Sequence, residues 1–260
     1  DGGLSGYTVF FFQSVFAAVN EKLHPVFKTK NDILTFTSSG TGAMEASMVN
    51  FLSAGDKVLC INGGKFGERW GKIAKAYGVQ FEEMKIEWGT APDPRAIAAQ
   101  LKQDPSIKAV YTELVETSTG TVYDIAAIGA VVAATEAILV VDAVSGLGAD
   151  EMRTDEWKVD VCVAGSQKAL MIPPGLSFMS VSEKAWKLAA SSKLPKFYFN
   201  ATAARTSLAK NDTPFTPAHT LIGALETSLD MILGEGIDAV LARHARLATA
   251  VRAGVQALGL

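Results

Sequence analysis

Cysteine is scarce in this 260-residue sequence, which has only Cys60 and Cys162, each inside an apolar run. Two thiols so placed exclude the disulfide framework on which small secreted domains depend. They read as buried, reduced thiols of a cytoplasmic protein. Histidine is limited to His24, His219 and His244, none at metal-ligand spacing from another, so no metal site is expected. His24 and His244 read as surface or packing residues; His219, which follows the Thr216 segment, reads as a packing residue or one near the site. Positive charge is not in excess. The formal net charge of −3 gives no electrostatic ground for nucleic acid or an anionic membrane as a partner. No apolar run reaches the roughly 20 residues of a membrane-spanning helix. The longest, such as Ala137 to Val141, have strand length. The opening Asp1-Gly2-Gly3-Leu4-Ser5-Gly6 has no initiator Met and no basic segment ahead of an apolar one. It reads as an internal start rather than a signal peptide.

What is present is an ordinary globular composition, 48% hydrophobic and 20% charged, in a chain long enough to bury a large core without staples. Short apolar runs alternate with helix-length periodic segments. Strands are expected at Ile33 to Thr37, Lys57 to Ile61, Val79 to Ile86, Lys108 to Leu114, Ala137 to Val144, Val159 to Ala164 and Leu176 to Val181. Helical spacing fills Ala43 to Leu52, the stretch after Gly63-Gly64 as far as Tyr77, Asp93 to Gln103, and Asp124 to Glu136. After Glu183 the chain reads as mostly helical, with a polar, irregular stretch from about Asn200 to Pro217. This βαβα order predicts an α/β fold with a largely parallel sheet, and such sheets hold ligands at the carboxyl ends of their strands.

Those strand ends carry the informative residues. Ser38-Ser39-Gly40-Thr41-Gly42-Ala43 joins a strand to a helix. Its glycines let backbone approach closely, and the free N–H groups of the helix suit a phosphate. Alone, a plain capped turn explains it equally well. Asp142, in Val140-Val141-Asp142-Ala143-Val144, ends a buried strand, where a carboxylate incurs a desolvation cost unless a cation or hydrogen bond faces it. Alone, a helix cap or ion pair is the simpler account. Lys168, in Gly165-Ser166-Gln167-Lys168-Ala169-Leu170, directly follows another buried strand with apolar residues behind it. Burial of that kind makes an amine a usable nucleophile and base. Phe66, in Gly64-Lys65-Phe66-Gly67-Glu68-Arg69-Trp70, lies on a glycine-flanked turn, free to cover a planar ligand; a core aromatic is a fair alternative. Together they supply a phosphate cradle, a stacking ring, a buried anion and a buried amine, the four parts that pyridoxal 5′-phosphate (PLP) requires.

At these residues the sequence resembles the class V aminotransferases of PLP fold type I, in particular the alanine–glyoxylate, serine–glyoxylate and serine–pyruvate enzymes. The resemblance runs from about Asn31 to the end of the chain. It is strongest in Ser39 to Ala46, Gly64 to Trp70, Glu116 to Gly120, Val141 to Val144, and Gly165 to Leu170 with Pro173-Pro174-Gly175. It implies that residues 1–260 are a PLP-binding large domain, a mostly parallel sheet flanked by helices, with residues 1–30 an N-terminal segment outside the resemblance. The family's C-terminal small domain, roughly a hundred further residues, would be absent from this chain. With it would go the arginine that grips the substrate carboxylate.

The resemblance also implies residue roles. Lys168 would form the Schiff base and shuttle the proton, and Asp142 would pair with the pyridinium nitrogen. Val144 would pack beneath the ring and Phe66 would stack on it. Gly40, Thr41 and Gln167 would hold the phosphate, and Thr117 the phenolic oxygen. Thr213 and Thr216 match the segment that reaches a neighbouring subunit's phosphate, which implies a homodimer with shared sites. Glu113-Leu114-Val115 departs from the family pattern, where Thr-His or His-Gly-type residues are common. The implied activity transfers an amino group from alanine or serine to a 2-oxo acid such as glyoxylate or pyruvate. Two alternatives stand beside it. One is a cysteine desulfurase or lyase on the same fold; desulfurases carry a His before the lysine and a mobile-loop cysteine, where this chain has Gln167 and no loop cysteine. A non-catalytic subunit of a larger complex is the other.

Overall fold

Strands form where short runs are apolar on both sides, and helices where the apolar positions recur every third or fourth residue. The computed structural model describes residues 3–260, with side chains from Phe12 onward. In chain order the elements are α1 (Gly3–Phe27), β1 (Ile33–Phe36), α2 (Gly40–Val49), β2 (Lys57–Asn62), α3 (Gly67–Ala76) and β3 (Gln80–Lys85). Next come α4 (Pro94–Gln103), β4 (Ile107–Glu113), β5 (Val115–Glu116), β6 (Thr121–Val122), α5 (Ile125–Ala133) and β7 (Ile138–Asp142). The chain closes with β8 (Val161–Gly165), β9 (Ser177–Val181), α6 (Glu183–Ala189), α7 (Ala201–Leu208), α8 (His219–Glu235) and α9 (Ile237–Ala257). None of the described helices is long and apolar enough to cross a membrane.

The main sheet runs in the order β1-β9-β8-β7-β4-β2-β3. Strands β3, β2, β4, β7 and β8 pair in parallel, and β9 runs antiparallel to both β8 and β1. Strands β7 and β8 are buried along their whole length, as strands covered on both faces must be. Side chains alternate between two apolar layers. Leu59, Ile61, Val110, Leu139 and Val141 face α1, α4, α5 and α8. Val58, Cys60, Tyr111, Val140 and Met179 face α2, α3, α6 and α7. At one edge β3 is largely exposed and carries Glu82, Glu83 and Lys85, charges that discourage further strand pairing. Cys60 and Cys162 are free and buried in β2 and β8, where burial pushes both thiols up.

One segment left open is placed, and two expectations are corrected. The segment before Asn31 is a helix seated in the core: Phe16, Val19, Leu23 and Phe27 are buried, and α1 packs against α8. The side chains of residues 3–11 lie outside the described residues. Second, α2 begins at Gly40 rather than Ala43, so the glycines form its first turn. Third, Asn200 to Pro217 is not irregular throughout. Asn200 accepts from the Ala203 N–H and starts α7, whose Ala201 and Ala204 are buried. His219 serves packing, its ring edge-on to Phe12 at 4.8 Å.

Side-chain caps start α4, α5 and α6: Asp93, Asp124 and Ser182 accept from Arg95, Ala127 and Ala185. No side chain at the N-cap position does this for α2 or α3. Gly129 sets how closely α5 approaches the turn before β8. A Cβ there would stand 1.8 Å from the Trp157 carbonyl oxygen. Ala is the better helix former by about 1 kcal/mol, yet Gly129→Ala is expected to destabilise the protein by about 1–3 kcal/mol through overpacking. Urea unfolding measures this. A variant as stable as the parent would show that the backbone yields without cost.

Candidate active site

The carboxyl ends of β4, β7 and β8 and the N-termini of α2 and α3 surround one cavity of about 150 Å³. Gly40, Thr41, Phe66, Thr117, Asp142, Val144, Gln167 and Lys168 all line it, with Ser39, Met44, Arg69, Val115 and Ser145. Gly40 packs so tightly on Val144 that a Cβ would come 2.6 Å from its Cγ2. Only glycine lets this helix start so close to the strand end. Gln167 has a buried side-chain oxygen with no hydrogen-bond partner. Thr117 Oγ1 lies 2.5 Å from Ser145 Oγ.

Asp142 is 5% exposed. The Val144 N–H donates to its Oδ1 at 2.8 Å. Burial pushes its carboxyl up to about 6, against the Val144 N–H and the positive charge of Arg69; Glu116 adds to the rise and Lys168 opposes it. Phe66 is half-buried, and the Arg69 guanidinium lies 4.6 Å over its ring. The Phe66 and Gly67 N–H groups donate to Glu116 Oε2 at 3.1 and 3.0 Å. Glu116 therefore does for α3 what no N-cap side chain does.

One expectation fails within the single chain, and a second stays with a partner subunit. Lys168 is exposed, not buried. Strand β8 ends at Gly165, and the turn beyond it is pinned by Ser166, whose Oγ donates to the Pro173 carbonyl at 2.8 Å. Leu170 turns into the core and Met171 turns outward, 54% exposed, so the apolar company read behind Lys168 faces elsewhere. Lys168 is left at the cleft's mouth. Thr213 and Thr216 lie outside this cleft. They line a separate small pocket with Phe36 and Tyr198, and Thr213 Oγ1 donates to the Phe215 carbonyl at 2.6 Å.

The sequence reading missed Glu113 as a chemical group. It ends β4 in register with Asp142 and shares the face of Tyr111 and Val140. Its side chain is fully buried and neither carboxyl oxygen has a hydrogen bond. The Trp70 indole is close by, but its N–H forms no hydrogen bond of normal geometry. Burial, then the charges of Asp142 and Glu116, push the Glu113 carboxyl well above the usual carboxylate range. The folded protein therefore keeps a proton that the unfolded chain loses above the ordinary value of 4.5. Stability from this group is complete below that pH and falls as pH rises. Glu113→Gln, which carries no such proton, should melt higher than the parent at pH 8 and level with it at pH 4. Each 1 kcal/mol amounts to about 2–4 °C in a chain of this size. A lower melting temperature at pH 8 would mean that Glu113 is ionised and paired.

Comparison with known proteins agrees with this geometry. The family model "Aminotransferase class-V" matches residues 10–260. A protein of Synechococcus named "Soluble hydrogenase, small subunit" is 46% identical over 96% of this chain and 66% of its own length. The serine–glyoxylate aminotransferase of Hyphomicrobium methylovorum is 40% identical over 92% of this chain and 61% of its own. Among solved structures, pyridoxamine–pyruvate aminotransferase from Mesorhizobium loti superposes with a TM-score of 0.91 at 35% identity. That match covers 95% of this chain and 64% of the other. The chain thus spans slightly under two thirds of the length of these relatives. A family match over nearly all its residues, on a PLP fold type I architecture, makes this chain a member of the class-V aminotransferase family.

Proposed function

We propose that the protein uses PLP to move an amino group from a small amino acid, alanine or serine, to a 2-oxo acid such as glyoxylate or pyruvate. The observation that carries the reading is one small cleft with a buried, weakly solvated carboxyl, Asp142, and the amine of Lys168 on its walls. The other walls fit the same cofactor. The N-terminus of α2 is without a side-chain cap, as a phosphate site asks. Gln167 lines the cleft with an amide whose N–H groups can donate to an anion, and Phe66 and Val144 offer apolar faces. The serine–glyoxylate and pyridoxamine–pyruvate specificities belong to the relatives and support the substrate class.

When bound, PLP supplies an aldehyde to receive the amino group and a pyridine ring to draw electrons from it. Gly40, Thr41 and Gln167 hold the phosphate beside the α2 N-terminus. Phe66 and Val144 would pack against the cofactor ring, and Thr117 would offer its hydroxyl to the phenolic oxygen. Asp142, whose carboxyl a facing ring N–H would lower from its raised value, would keep that nitrogen protonated. Lys168 would hold the cofactor through its amine and act as the base toward the substrate's α-proton. Its place at the cleft's mouth gives it access to both cofactor and substrate. Borohydride reduction of the full-length protein followed by peptide mapping tests this. The cofactor adduct is expected on Lys168, and an adduct on another lysine would overturn the assignment.

A second reading is a non-catalytic subunit of a larger complex; the Synechococcus relative's name, a hydrogenase small subunit, is compatible with it but does not make it the better one. Steady-state transamination by the full-length protein separates the two.

The reading includes a homodimer with shared sites. Thr213 and Thr216 stand apart from their own chain's cleft, beside an aromatic cluster open to the surface. Phe197 is 82% exposed, and Tyr198 stacks on Phe215 at 4.9 Å. Two threonine hydroxyls on a partner's phosphate would contribute about 1.5–3 kcal/mol each. A mixed dimer tests this, one subunit carrying Lys168→Ala and the other Thr213→Ala with Thr216→Ala. One near-normal site per mixed dimer is expected, with both parent homodimers impaired. Activity no greater than the sum of the parents would mean that the segment does not act across an interface.

A further inference from the structure

We propose that Arg69 is a positioning residue that locks the phosphate turn and the aromatic platform of the cleft together, an inference that rests on the PLP reading above. Thr41 is the second residue of α2 and Arg69 the third of α3, two helices that leave different strands. Arg69 joins them. Its Nη1 donates to Thr41 Oγ1 at 2.9 Å, while its guanidinium plane covers the Phe66 ring at 4.6 Å. Its neighbour Glu68 is occupied by Lys72 at 3.1 Å and Lys65 at 3.6 Å. No carboxylate among the described residues makes an ion pair with Arg69, which lines the cleft instead.

Two consequences follow from the chemistry of the groups. A threonine hydroxyl has one proton to give. In the first turn of a helix it readily turns that proton back onto nearby backbone. With its lone pair engaged by the guanidinium, the Thr41 hydroxyl directs its proton elsewhere, and the cleft is where an anion would receive it. The stacked face of the guanidinium also fixes the tilt of Phe66, because a planar cation over an aromatic ring has one favoured distance and face. Lysine keeps the charge but has neither the fork nor the plane, so Arg69→Lys separates geometry from electrostatics.

The test is a double-mutant cycle in the full-length protein with Arg69→Lys, Thr41→Ala and both together. Dissociation constants are measured for PLP and for inorganic phosphate on the cofactor-free protein, alongside the circular dichroism band of bound PLP. Arg69→Lys should weaken PLP about tenfold or more, the size of one lost hydrogen bond to a charged group. It should also weaken inorganic phosphate while Thr41 is present. In the Arg69→Lys background Thr41→Ala should cost under about twofold, since the hydroxyl it removes is no longer aimed. The dichroism band should shrink with Arg69→Lys and persist with Thr41→Ala. Additive losses, or PLP affinity and dichroism unchanged in Arg69→Lys, would overturn the role. Where Arg69→Lys melts far below the parent, Arg69→Gln takes its place in the cycle, with the same non-additivity expected. A parent protein that binds no PLP would instead overturn the functional reading.

Discussion

The cleft depends on the parallel register of β4, β7 and β8, which brings several polar groups to one edge of a sheet buried on both faces. Val140, Val141 and Asp142 pair with Val161, Cys162 and Val163, and Glu113 pairs with Asp142 on the other side. A parallel strand with helices on both faces leaves its residues no water. A carboxylate at its last position can be stabilised only by what the neighbouring strand ends and helix N-termini provide. The site is therefore a consequence of topology. The same register that buries Leu139 and Val141 fixes where Asp142 must stand. The close fit of Gly40 on Val144 then fixes how near α2 comes.

Much of this was legible in the sequence because the relevant signals are local. A strand's apolar run followed at once by Asp142, or by Gly165-Ser166-Gln167-Lys168, marks a strand end without knowledge of the pairing. A glycine pair before a helical pattern marks a close backbone approach. What was not legible required partners far along the chain. Lys168 was read as buried from its apolar neighbours, but the Ser166 bond to Pro173 turns Leu170 inward and leaves Lys168 open. The segment before Asn31 carried no site motif, and its place in the core is set by α8, some two hundred residues later in the chain. Glu113 looked like a departure from a familial pattern. Only the β4–β7 register shows that it lies beside Asp142 with no partner for either oxygen. Arg69 sat inside a quoted motif, but its bond to Thr41 crosses between two helices that sequence spacing does not relate.

The three carboxyl groups at this edge have different fates, and the donors each receives account for the difference. Glu116 takes N–H groups from Phe66, Gly67 and Ser118, and the Ser118 hydroxyl at 2.6 Å. Its four hydrogen bonds tie both carboxyl oxygens to backbone and to Ser118. Glu113 takes none, and burial beside two other acids keeps it protonated. Asp142 stands between them with the Val144 N–H and the charges of Arg69 and Lys168, so its carboxyl, at about 6, lies close to neutrality. One acid is engaged by four donors, and one is pushed by burial toward its neutral form. Only the third is left free to respond to a ligand. A cationic ring nitrogen arriving beside Asp142 needs to overcome little to ionise it. It would find Glu116 already engaged with backbone and Glu113 already neutral. The edge thus leaves one carboxyl, that of Asp142 with the Val144 N–H alone, able to meet a cationic group at one defined place.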